Sequence, residues 1–521
     1  MRTWKFTPEQ ICGALLILCS VFVVLTSGNR TPLSDFGNYY YGSRILQHNG
    51  AVEDVYDVMD FNRSAQALNG SGLFLNHCTV TPQSILLYRP FATFSDPHAE
   101  KLFFNCFGVL VFIISLYRFL KRYTPEIEWK QLLLFTAALI PVYYNILFGQ
   151  TYLLIAGLLM ETILNAEKIK WLSGLCLALA ITLKISPAIF IVWLLSEKKY
   201  QIIAWTAGFW IAIMALTAIA YTGMTDILIS FYTESMPRMM NGFVSDPYTS
   251  SFQGFVVFLR KLMLPDTILN PHSLINSSER MVQLLNTVFF IGISVLLVGA
   301  WKKTLSRNKK ILLLLLVMNI TSGYTSTYSL LLMVPFIEFG NTTRDWIKVM
   351  LYGVVLMFPP RIFDGYSAFA EEYKLWIFIA LLVMECNPTF GFKRIEKPQL
   401  IVGSVFLAMI ILKFAHRPEE MRLNYYRPDI VNQDYVLYAF AHDSSLTYVS
   451  YADGSFRSYR VPLKENWTYS ETVYPSVHGV AFRAVGENEE NMLVLSDYHR
   501  GPGLFHLYII SKSEFKSITG Q

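Results

Sequence analysis

Two charged residues stand where an apolar chain has least reason to carry them. Asp35 lies in Ser34-Asp35-Phe36-Gly37-Asn38-Tyr39-Tyr40-Tyr41, just past a hydrophobic segment at 11–26. Lys184 follows a run of aliphatic residues at 175–183, and Pro187 comes three residues later. A carboxylate at the mouth of a membrane segment can take a proton from an incoming hydroxyl. A lysine within a membrane segment costs at least ~2.5 kcal/mol on insertion scales, so it faces a cavity or pairs with something. At a proline break it is suited to holding a phosphate as a point charge. Each has a plainer reading: Asp35 as the solvated cap of the next helix, and Lys184 as a side chain snorkelling to the interface.

Other polar residues are candidates for binding. Gln150 closes Tyr143-Tyr144-Asn145-Ile146-Leu147-Phe148-Gly149-Gln150 at a break between two apolar segments, where an amide also satisfies helix ends. Tyr39 and Tyr40 follow Asp35, and Tyr328 closes a stretch of hydroxyls and aromatics from Ser322 that suits sugar binding or helix capping. Gln253 precedes an amphipathic run ending in Arg260-Lys261, and Arg361 and Asp364 follow Pro359-Pro360. Asp246 is the next acid to consider as a base. Asp54, Asp57, Glu53 and Asp60 read as a solvated face.

These residues need a membrane scaffold, and composition supplies one. The chain is 53% hydrophobic and 16% charged, against about 25% charged in soluble domains, and its mean hydropathy is +0.38. This is the composition of a polytopic α-helical membrane protein. Arg2 and Lys5 before an apolar run resemble a signal peptide, but Thr26-Ser27-Gly28 is a poor cleavage site, and we read an uncleaved helix. Apolar segments fall at 11–26, 99–119, 131–147, 150–165, 171–183, 186–195, 202–221, 282–300, 311–321, 326–340, 346–358, 374–386 and 398–414. Several are too short to cross a hydrocarbon core of about 30 Å as straight helices, which points to broken helices around a cavity.

Thirteen spans with a cytoplasmic N-terminus place the basic clusters on one side: Arg2/Lys5, Arg118 to Lys130, Lys168/Lys170, Lys198/Lys199, Lys302 to Lys310, Arg344/Lys348 and Lys393 to Lys397. This count makes 82–95 an interfacial helix and puts loops 27–98 and 222–281 outside. The sequence thus divides into a transmembrane domain at 1–414 and an extracytoplasmic, β-rich domain at 415–521. In the latter, Tyr435 to Phe440 and Thr447 to Tyr451 alternate as strands, and Ala452-Asp453-Gly454-Ser455 and Arg500-Gly501-Pro502-Gly503 read as turns.

Of the six cysteines, five lie in or beside apolar segments, with no zinc spacing or disulfide framework. Phosphate-loop, HExxH, CxxC and GxSxG patterns are missing. Neither a metal, a cofactor nor a nucleic-acid partner is expected.

The order of these features resembles glycosyltransferase family 87, of the GT-C superfamily of polyprenyl-phosphate-sugar-dependent membrane enzymes. The matching stretches are Asp35 to Tyr41, Gly149-Gln150-Thr151-Tyr152, Gly174 through Lys184-Ile185-Ser186-Pro187 and, more weakly, Tyr328 to Pro335. Thr327 stands where family members often have histidine, and Thr81-Pro82 where a Pro-Pro pair is common. The resemblance implies a GT-C-like hexosyltransferase that moves a sugar, mannose or a related one, from a polyprenyl-phosphate donor to a lipid or glycan acceptor outside a bacterial inner membrane. It implies Asp35 as catalytic base and Lys184 on the donor phosphate; Tyr39, Tyr40, Gln150, Gln253, Tyr328 and Arg361 are the candidate substrate contacts. The short spans around 150–195 would form the groove for the prenyl chain. A transporter or flippase of lipid-linked sugars is the alternative, since carriers also use broken helices.

Overall fold

The structure, a computed structural model, describes the chain apart from residues 1–4, 28–32, 49–50, 69, 71–72, 241–247, 249–252, 267–269, 271–272, 302–303, 324, 341, 364–365, 387–396, 416–422, 426–434, 443–444, 453–454, 463–466, 469–471, 478–479, 499–502 and 520–521. Asp246, Asp364, the 453–454 turn and most of the Arg500–Gly503 turn lie outside the described residues.

Helices dominate. α1 (Pro8–Thr26) is capped by Thr7, whose side chain accepts from the Gln10 backbone while Gln10 reaches back, a reciprocal box that satisfies two helix-end donors. Three short helices follow: α2 (Ser34–Gln47), α3 (Val52–Tyr56) and α4 (Val58–Ala67). The 82–95 stretch, expected as an interfacial helix interrupted at Arg89-Pro90, forms three successive short turns, 3₁₀ at Pro82–Ser84, α5 at Ile85–Tyr88 and 3₁₀ at Arg89–Phe91. Pro90 donates no backbone hydrogen bond, so the helical ladder cannot run through it.

The long apolar elements are α6 (Pro97–Tyr123), α7 (Trp129–Ala137) continuing as α8 (Leu139–Phe148), α9 (Tyr152–Asn165), α10 (Lys170–Leu183), α11 (Phe190–Ser196) and α12 (Tyr200–Ala220). Next come α13 (Met224–Ser230), a π turn at Phe231–Ser235, α14 (Met236–Met240) and α15 (Phe255–Met263). They are followed by α16 (Glu279–Ala300), α17 (Arg307–Thr321), α18 (Thr343–Met357), α19 (Ala368–Glu371), α20 (Tyr373–Cys386) and α21 (Lys397–Ala415). Among the described residues five helices are long and apolar enough to cross a membrane: α1, α6, α7–α8, α12 and α16. The expected apolar segment at 326–340 is built of 3₁₀ turns, Thr327–Leu332 and Val334–Phe336. Hydropathy records that these residues are buried but not which backbone hydrogen-bond pattern they adopt.

Polar contacts gather the connections bearing the basic clusters at one end of the helices. Lys5 pairs with Glu126, Lys199 with Glu167, Lys310 with Glu197, and Lys309 and Lys348 with Glu385. Arg122 donates to the Leu164 carbonyl and Ser306 to Glu338. Lys302, Lys303, Lys393 and Arg394 lie outside the described residues.

At the other end sit α2–α4 and a small β region. β1 (Asn424–Tyr425), β5 (Thr472–Val477), β6 (Val480–Glu487), β7 (Asn491–Ser496) and β8 (His506–Ser511) form an antiparallel sheet ordered β1-β8-β7-β6-β5. β2 (Tyr435–His442), β3 (Ser445–Ala452) and β4 (Ser455–Pro462) form a second sheet, with Ala452 paired to Ser455 across the expected hairpin. α22 (Lys512–Thr519) packs Phe515 against β5 and β6. The larger sheet lays Val485, Leu493, Leu495, Phe505 and Leu507 on Val58 and Met59 of α4. Arg483 adds an ion pair to Asp57 at 2.9 Å.

Candidate functional site

The site begins at the first turn of α2. Asp35 is half-buried, and its carboxylate receives a hydrogen bond from the Gln150 side-chain amide. Tyr39, one turn on, donates its hydroxyl to the Gln150 Oε1 at 3.2 Å. That bond fixes which way the amide points, so Gln150 presents N–H to the carboxylate. Tyr39 is itself held by stacking on Tyr88, with ring centroids 4.3 Å apart and planes at 8°.

Gly149 makes this approach possible. It ends α8 in the left-handed conformation, φ +64°, and a Cβ there would lie 2.5 Å from the Phe36 Cβ. Both the backbone angle and the contact therefore call for glycine. Gly149→Ala is expected to lower the midpoint of thermal unfolding in detergent by an amount corresponding to ~1–2 kcal/mol, and to slow turnover as Gln150 is displaced. An unchanged midpoint and rate would show that α2 and the α8 terminus are not so tightly fitted.

Lys184 ends α10 in extended conformation, with Pro187 opening the following 3₁₀ turn. The Thr81 hydroxyl takes the Thr182 carbonyl at 2.5 Å, so the Thr81-Pro82 loop seals the backbone acceptor that the helix end leaves open. Among the described residues the Lys184 ammonium has no carboxylate in ion-pair contact; it acts on Asp35 through space, as Lys101 does. Burial pushes the Asp35 pKa above the ordinary carboxylate value, opposed by the Gln150 hydrogen bond and then by Lys184 and Lys101.

Lys184 lines a cavity of about 330 Å³. Thr79, Thr81, Tyr152, Ser186, Thr321 and Ser322 add polar atoms to its wall. The remaining lining is apolar, with Ile185, Ile189, Phe231, Met236, Met239, Met240, Phe290, Met318, Phe406 and Met409 among it. Of the 150–195 stretch only Tyr152, Lys184, Ile185, Ser186, Ala188 and Ile189 line this cavity, and segments distant in sequence supply most of its walls. Tyr328 borders it through Tyr152, ring centroids 5.5 Å apart, and its carbonyl accepts from Asn145.

The structure thus gathers Asp35, Tyr39, Gln150 and Lys184, with Tyr328 one ring away. Other expected contacts lie elsewhere. Tyr40 donates to the Phe94 carbonyl at 2.8 Å. Gln253 is buried, donates to the Glu371 carbonyl and accepts from the Lys374 backbone N–H, so its amide joins chain segments. Arg361 is exposed on the 3₁₀ turn Pro360–Phe363.

Two residues escaped the sequence reading. Lys101 is buried in the second turn of α6 and donates to the Leu147 carbonyl at 2.6 Å, two residues before Gly149. Its signal was a charge just inside an apolar run. His77 is fully buried against α2, its Nδ1 2.8 Å from the Asn38 carbonyl, so Nδ1 carries the proton and Nε2 is left as an acceptor with no partner among the described residues. Burial pushes its pKa down to about 4, so the ring is neutral at physiological pH. A lone histidine in a loop gave no pattern to find it by.

Residues 79–335 match the model of glycosyltransferase family 87. Over this segment the chain belongs to that family. No curated protein and no solved structure matches the chain. Family 87 membership makes this a membrane glycosyltransferase, and the apolar helices agree with it. The match holds Lys101, Gln150, Lys184 and Tyr328, while Asp35 and the β region lie outside it.

Proposed function

We propose that this family 87 protein transfers a sugar, mannose-like in class, from a polyprenyl-phosphate donor to an acceptor hydroxyl on a lipid or glycan. The observation that carries this reading is a half-buried carboxylate, Asp35, in the field of two lysines, one of which lines a largely apolar cavity. A phosphate at Lys184 with its prenyl chain along the methionine-rich wall would satisfy both surfaces.

The chemistry is a direct inverting displacement. The acceptor oxygen forms a bond to the anomeric carbon as the bond from that carbon to the phosphate oxygen breaks. Asp35 takes the acceptor's proton, and polyprenyl phosphate leaves carrying the electron pair. The leaving group needs no general acid, unlike an alcohol in glycoside hydrolysis. Lys184 balances the charge that develops on it. Gln150 and Tyr39 hold Asp35 in place, and Tyr328 is placed to meet the sugar. No step calls for a metal or cofactor.

The test is to supply the protein in membranes with a panel of radiolabelled polyprenyl-phosphate sugars and to analyse the products. Label moving to a new lipid or glycan is expected. Translocation of the intact donor without transfer would overturn the reading in favour of a carrier.

Topology gives an independent check. With thirteen crossings and a cytoplasmic N-terminus, the site and the β region face outward. A reporter active only outside the cytoplasm should be active when fused after Gln521 and silent after Lys310. The reverse pattern would put Asp35 and Lys184 on the cytoplasmic side.

A further inference from the structure

Part of the cavity wall is the C-terminal end of a helical run, Met224–Met240, that a π turn interrupts. α14 has five residues, follows a π turn, and contributes Met236, Met239 and Met240 to the cavity lining. A π turn marks a break in the regular helical ladder, so contacts beyond it bear on where the terminal methionines lie.

A buried polar contact to this end comes from the β region. Arg238, between those methionines in the chain, is buried and donates to both carboxylate oxygens of Asp497 at 3.1 Å. A third bond, at 2.8 Å, runs to the Asp497 carbonyl. The Asp497 carboxylate is fixed in turn by the Ala481 and Gly503 backbone N–H groups, at 3.0 and 2.9 Å. Ser476 adds a hydrogen bond to Glu234 in the π turn. The helix therefore sits between two surfaces, with its methionines on the cavity and its arginine on the sheet.

We infer that Arg238 and Asp497 are positioning residues for the donor: the C-terminal β region sets the wall against which the polyprenyl chain packs, through this buried ion pair. The inference rests on the function proposed above. It gives the β region, which lies outside the family match, a part in donor binding. Methionine suits such a wall because its flexible thioether fits chains of irregular shape.

Arg238→Met is the informative change. It removes the clamp yet leaves the Asp497 carboxylate two backbone donors, so the sheet keeps its own bonds. Binding of a fluorescent polyprenyl phosphate to the full-length protein in detergent should weaken about tenfold or more, within the usual effect of truncating one side of a buried charge pair. In the transfer assay the donor KM should rise while kcat stays within about threefold, because chemistry at Asp35 is untouched. Arg238→Lys keeps the charge without the bidentate fork and should fall between; it carries the test if the methionine variant fails to fold. A merely structural role would lower kcat through loss of folded protein and leave KM alone. Equal affinity in variant and wild type would overturn the inference while the proposed function stands. A wild-type protein that binds no polyprenyl phosphate would overturn the proposed function, and this inference with it.

Discussion

Asp35→Asn is expected to turn over roughly 10² to 10⁴ times more slowly than the wild type, the usual worth of a positioned base. Asparagine keeps the shape and can still accept from Gln150, but it cannot take a proton from the acceptor. Donor binding and expression should stay near wild type. Stability supports the same separation. Burial raises the Asp35 pKa in the folded protein, so ionising it there opposes folding, and that cost grows as pH rises above the unfolded pKa. Removing the charge should therefore not lower the unfolding midpoint at neutral pH.

The raised pKa also fixes the sign of a pH effect. The base must be ionised, so kcat/KM should fall as pH drops through a value above the ordinary carboxylate range. Gln150→Leu removes the hydrogen bond that favours the ionised form and should move that limb further up. A limb at the ordinary carboxylate value, or an Asp35→Asn rate above about a tenth of wild type, would place the base elsewhere. Asp54→Ala should have little effect. Asp57→Ala would act through the Arg483 contact to the β region, not through proton transfer.

Lys184→Met should lose roughly 10² to 10³ in turnover, since a charge stabiliser at a leaving group is typically worth ~3 to 4 kcal/mol. Methionine keeps the unbranched length and the apolar stem, so the cavity wall is retained while the charge is lost. Donor affinity should fall as well, and Lys184→Arg should recover part of both. Normal affinity and rate in Lys184→Met would favour a lysine that only reaches for the interface. The partner expected to compensate in part is Lys101, the second lysine acting on Asp35. Lys101→Met should therefore be milder alone and more than additive with Lys184→Met, because the two charges act on one group.

Much of this was legible in the chain. Apolar segments separated by basic clusters define a membrane protein because unpaired charges are excluded from hydrocarbon. The same physics marked Asp35 and Lys184, since a charge beside an apolar run needs a reason. Alternation in the tail gave its strands because side chains on a strand point to opposite faces in turn. The order of Gly149-Gln150 and Lys184-Ile185-Ser186-Pro187 falls within the segment that matches the family, while Asp35 precedes it.

What the chain did not contain was which of these residues meet. Gln150 reaches Asp35 across 115 positions, an approach decided by a left-handed glycine and the packing of Phe36 beneath it. Lys101 and His77 joined the site only through the way α6 and the 73–80 segment fold onto α2. The Gln253 amide proved to be committed to the backbone at 371–374, a hydrogen-bonding choice that residue type leaves open. The 326–340 stretch is as apolar as a span yet folds as 3₁₀ turns. The clamp between Arg238 and Asp497 spans 259 positions and two regions of different composition. Local pattern sets what each segment can bury; only the packing of segments on one another decides which polar groups are left facing each other.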